Sequence, residues 1–267
     1  MPAPLKMTFQ VLAAAALLLL PLATGAHPED EFCIPGESGL DPELCAALSE
    51  LDSASTTAEL RPLLDASGEE RSALSTAGLY TVIGIRHILP TGLDHILFVL
   101  ALVLGAVGVR ALVIQLSTFT VAHTVTLGMA AAGVISPPAS IVEPLIALSI
   151  AFVAIENVYL KGSIAWRPVV VFGFGLVHGL GFAGFFGELG LPPGQFLSAL
   201  IGFNIGVEIG QLAVVAAALI FLAIFRSRIE EGMRDAVCRR YVIVPGSVAI
   251  AGAGLYWTVT RIVGQLA

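Results

Sequence analysis

From residue 80 onward the apolar positions form six long blocks, roughly 92–109, 111–134, 140–160, 167–187, 195–225 and 241–263. At about 1.5 Å per helical residue, each is long enough to cross a hydrocarbon layer ~30 Å thick. The apolar residues run continuously instead of alternating, which predicts membrane helices and not the strands of a barrel. Before the first block, GLYTVIGIRHILPTG (78–92) is apolar but carries Arg86 and His87 and is broken by Pro90 and Gly92. This stretch is expected to be a helix lying on or re-entering the outer face. The fold class predicted is an all-α integral membrane protein, a six-helix bundle over residues 80–267.

Two segments precede the bundle. Lys6, the apolar run VLAAAALLLLPLA and the small residues Thr24-Gly25-Ala26 make residues 1–26 a cleavable signal peptide, leaving His27 as the expected first residue. A retained first helix is the alternative, because the run is near the lower length limit for a span. Residues 27–79 are expected to be a small acidic extracytoplasmic segment. Twelve of the chain's 20 acids fall there against Arg61 and Arg71 alone. Asp41 before Pro42, Thr56 with Glu59, and Ser67 with Glu70 have helix-start spacing, so two or three short helices are predicted. Cys33 and Cys45 either close a disulfide worth roughly 3 kcal/mol or remain free thiols.

Composition narrows the class further. Of 267 residues, 57% are hydrophobic and only 12% charged, far from the balance of soluble domains. The formal net charge of −7 excludes the basic footprint that nucleic-acid binding needs. No GxxxxGK[ST] phosphate loop is present, which argues against an ATP-driven pump. Arg110, the pair Lys161 and Arg167, and the group Arg226, Arg228, Arg234, Arg239 and Arg240 sit in or beside alternate loops, whereas SPPAS and ELGLPPGQ hold no Lys or Arg. That asymmetry predicts a multi-pass protein with its basic loops in the cytoplasm and the acidic segment outside.

Ionisable groups inside spans are costly and point to function. Asp94 and His95 lie at the outer end of the first block, His123 midway along the second, Glu143 near the outer end of the third, His178 in the fourth and Glu208 in the fifth. By residue counting they fall in the outer half or near the midplane. Imidazoles with carboxylates suit a divalent transition metal such as nickel, cobalt or zinc, and Cys238, in a cytoplasmic loop, is poorly placed to join them. Asn204, Glu208 and Gln211 share one helical face at i, i+4, i+7, while Gly202, Gly206 and Gly210 form a nearly opposite stripe that admits a close neighbour. Gly175, Gly179 and Ala183 make a second such stripe. Ser117, Thr120 and Thr124 lie beside His123, either to orient its ring or to bond back within their own helix. The bland alternatives are a lone histidine bonding across helices, a solvated Glu143, an interfacial His87, and Glu156 and Asn157 capping or snorkelling at a helix end.

The strings HILPTGLDHILFVLAL (87–102), TFTVAHTVTL (118–127), VEPLIALSIAFVAIEN (142–157), FGLVHGLGFAG (174–184) and FNIGVEIGQL (203–212) resemble, in order, successive blocks of the HupE/UreJ family of bacterial membrane proteins. The resemblance covers about residues 80–265. It implies an accessory permease for nickel or cobalt linked to hydrogenase and urease maturation. It also implies metal contact for His87, Asp94 and His95, with His123, His178 and Glu208 as further candidates.

The expected function is therefore passage of Ni²⁺ or Co²⁺ through a site drawn from His87, Asp94, His95, His123, Glu143, His178, Asn204 and Glu208, with no tightly bound cofactor. The expected partners are the lipid bilayer, the metal ion and metalloenzyme maturation proteins. Two other classes remain open: an intramembrane zinc-type hydrolase with Glu208 or Glu143 as general base, and an assembly factor whose acidic segment binds a partner.

Overall fold

The computed structural model describes residues 72–90, 92–160, 165–181 and 194–265. The expected signal peptide, Cys33, Cys45 and the acidic segment up to residue 71 lie outside the described residues. Among those described there are helices and turns and no strand.

The helices are α1 (Ala73–Ile88), α2 (Leu93–Gly105), α3 (Val109–Ala131), α4 (Ala139–Tyr159), α5 (Arg167–Gly181), α6 (Phe196–Ser227), α7 (Arg234–Cys238) and α8 (Val244–Val263). A 3₁₀ turn at Glu231–Met233 and a π turn at Arg239–Ile243 make the stretch from Glu231 to Val263 one continuous rod. Local chemistry sets several ends. Ser72 caps α1 by accepting from the Ser75 N–H at 3.2 Å. Leu89, ahead of Pro90, is forced into extended backbone, and α1 stops there. After α3, Gly133 takes a φ of +71°; its N–H bonds the Ala130 carbonyl, and the Val134 N–H bonds that of Met129. That paired closure is a glycine C-cap.

Among the described residues, four helices are long and apolar enough to cross a membrane: α3, α4, α6 and the Glu231–Val263 rod. α1 and α2 pass the same test only together and are bent by 70° at their junction, which gives a fifth span if the pair counts as one. α5 has 15 described helical residues. The stretch expected to lie on or re-enter the outer face forms α1, which packs along α6 with its Tyr80, Ile83 and Ile88 buried.

Glycine determines how the helices pair. A Cβ at Gly202 would overlap the Ala77 carbonyl, one at Gly206 that of Thr81, and one at Gly210 the Ile88 side chain, so the α6 stripe admits α1 running parallel to it. Gly175 and Gly179 seat α5 in parallel against Phe119, Ala122 and His123 of α3. Gly254 brings α8 antiparallel to α4 at Ala147 and Ala151. The outward faces of α3 and α6 show Val113, Val121 and Val125, and Ile201, Ile205 and Ile209, all exposed. Large apolar exposure of this extent needs lipid against it.

Candidate metal centre

The bend between α1 and α2 creates the site. His87 is in the last turn of α1 and His95 in the first turn of α2, eight residues apart. On an unbroken helix that separation is about 12 Å along the axis. Across the bend the two rings meet with centroids 4.7 Å apart. α3 supplies His123, whose ring lies 5.7 Å from that of His95. One ligand nitrogen from each of His87, His95 and His123 lies within 4.8 Å of the other two.

All three imidazoles are buried, as is His178. α5 places His178 beside His95, with ring centroids 5.1 Å apart, and Ser149 of α4 holds its Nε2 at 2.8 Å. Phe98, Phe119 and Phe203, each fully buried, wall the cluster against the rest of the bundle. Both ring nitrogens of His123, Nε2 of His95 and Nδ1 of His178 have no hydrogen-bond partner. Unmade hydrogen bonds at buried polar atoms cost about 1–3 kcal/mol each. Four of them in one place form a set of nitrogen donors that the protein itself leaves unsatisfied.

The other predicted residues are arranged around this centre. Asp94 turns to Arg261 of α8 in a 2.7 Å ion pair, with its Oδ1 unpartnered, and Arg261 also donates to the Glu143 carbonyl at 3.1 Å. Glu143 therefore enters the described network through its backbone. Asn204 and Glu208 face α3, where Thr124 and Thr120 meet them at 2.6 and 3.0 Å. The threonine stripe thus serves α6 and not the imidazoles, and Thr124 also bonds back to the Thr120 carbonyl. No carboxylate joins the three-histidine group among the described residues.

Three contributors were missed from sequence. Arg261 could have been flagged by the same rule that flagged Asp94, since it is a charge in the apolar run YWTVTRIV. Ser149 carried no signal. The third is a buried network at the far end of α2: Arg167 donates to the Gly105 carbonyl at 3.0 Å and to Asn157 Oδ1 at 2.7 Å, and lies 3.4 Å from Glu156. Asn157 in turn donates to the Ala101 carbonyl. Glu156 and Asn157 are buried, so they neither snorkel nor merely cap. They line a cavity of about 120 Å³ with Arg239 and Ile243.

A family model described as HupE / UreJ protein matches residues 65–261. No curated protein and no solved structure matches the chain.

Proposed function

Because the chain belongs to the HupE/UreJ family, we propose that it passes a divalent transition metal, nickel or cobalt, across the bacterial inner membrane through the His87–His95–His123 centre. In this reading the broken α1–α2 pair is one of six spans, the acidic segment is extracytoplasmic, and delivery serves metalloenzyme maturation. The observation that carries it is the convergence of three buried imidazoles from three helices, two of them with ring nitrogens that nothing in the protein satisfies. Nitrogen donors of this kind suit nickel, cobalt and zinc.

The spacing supports transit over tight storage. Metal–nitrogen bonds of about 2.0–2.1 Å in a tetrahedral site set donors about 3.4 Å apart. A group spread over as much as 4.8 Å must contract to complete such a shell. His178, touching His95, is placed to accept the ion next. Asp94 beside His95 offers the approaching cation a carboxylate that Arg261 otherwise neutralises.

The test is uptake of radiolabelled nickel and cobalt into proteoliposomes. Saturable uptake by the wild type, abolished in His95→Ala and His178→Ala, is expected. Folded, correctly inserted protein that admits no more metal than empty liposomes would refute permeation. One equivalent of zinc surviving purification would turn the assignment toward an enzyme.

A further inference from the structure

The polar face of α6 holds a second group of ligating atoms with chemistry unlike that of the imidazoles. Thr120 Oγ1 lies 3.0 Å from Glu208 Oε2 and 3.3 Å from Gln211 Oε1. Thr124 Oγ1 lies 2.6 Å from Asn204 Oδ1 and 2.7 Å from the Thr120 carbonyl. The Asn204 amide is oriented by donating its Nδ2 to the Leu200 carbonyl at 2.8 Å, which turns its oxygen toward Thr124. Each hydroxyl carries one proton. The Thr120 carbonyl already accepts the Thr124 N–H within α3, and Thr124 serves Asn204, but the single Thr120 proton faces both Glu208 and Gln211 and leaves one of them unsatisfied.

The group lacks positive charge as well as protons. No ion pair involves Glu208 among the described residues. Gln211 is 2% exposed, aims its Oε1 at Thr120, and has an Nε2 without a partner. Glu208 is half-buried, and a carboxylate on a membrane helix with no cation partner is stabilised when a cation joins it.

We propose that Thr120, Thr124, Asn204, Glu208 and Gln211 bind a hard monovalent cation of the sodium class between α3 and α6. The donors are all oxygens, which favours a hard ion and disfavours nickel or cobalt. The single carboxylate matches a single positive charge. This site and the imidazole centre share a wall, since Thr124 follows His123 and Asn204 follows Phe203 in the chain. The assignment does not rest on nickel passage, because it is read from sodium alone.

The experiment compares purified full-length protein in sodium, potassium and choline chloride at equal ionic strength. Sodium is expected to raise the melting temperature by several degrees, saturably, in the wild type and in Thr120→Ser, and not in Thr124→Val or Glu208→Gln. Should those two variants fail to fold, radiolabelled sodium bound to the wild type, displaced by unlabelled sodium but not by potassium, carries the same information. Equal melting in sodium and choline, or stabilisation by magnesium or calcium in place of sodium, overturns the proposal.

Discussion

Replacing His123 by leucine is expected to make the metal-free protein more stable while destroying its function. A neutral imidazole carries one donor and one acceptor, and at His123, fully buried, neither has a partner. Removing two such groups relieves about 2–6 kcal/mol at about 1–3 kcal/mol each. Against this, the ring packs on Phe119 and His95 with centroids 5.9 and 5.7 Å apart, contacts worth about 0.5–1.5 kcal/mol apiece. The net gain is about 1–3 kcal/mol, read as a melting temperature several degrees above wild type in chelator. Nickel narrows or closes that gap: at a hundredfold excess over its dissociation constant it stabilises a binding protein by about 2.7 kcal/mol, and only the wild type responds. A His123→Leu protein that melts below wild type in chelator would refute the reasoning, because the ring would then be a satisfied core residue.

At the α1–α6 contact, Gly206→Ala places a Cβ against the Thr81 carbonyl, a backbone atom that cannot swing away; a loss of about 1–3 kcal/mol is expected in thermal melts, and unchanged melting would show the contact to be loose. Arg167→Met leaves Glu156 buried without its cation, expected to cost about 3–5 kcal/mol; the double variant Glu156→Leu/Arg167→Met should regain most of that, and a double variant no more stable than the single would count against the pairing. Ser149→Ala removes the hydroxyl held at 2.8 Å from His178; the KM for nickel uptake should rise 10–100-fold, the range found for groups that orient metal ligands, with melting unchanged, and an unaltered KM would take His178 off the path.

Much of this was legible in the chain because membrane insertion punishes every buried polar group. The rule that isolates Asp94, His95, His123, His178 and Glu208 needs only a hydropathy profile. The small-residue stripes likewise announced close helix contacts. What the pattern could not give was the partner: nothing in Gly202, Gly206 and Gly210 says that α1, some 120 residues earlier, is the helix they admit. Nor could periodicity show that the PTG break would fold His87 back onto His95, since a linear reading places them two turns apart. Nor could residue type show that Asp94 pairs one oxygen with Arg261 and Glu208 accepts from Thr120, since such contacts depend on which helices become neighbours.

The pairing of α1 with α6 also dictates an order of events during synthesis. α1 has 16 residues, about 24 Å of helix, too short to cross a ~30 Å layer alone, and Arg86 and His87 occupy its last turn. Its glycine-lined seat is translated about 120 residues later, a delay of roughly 6–24 s at bacterial and eukaryotic elongation rates. Until then the nascent chain has His95 and His123 but no fixed place for His87. A growing polypeptide therefore seats all three imidazoles only after α6 has been made to receive α1.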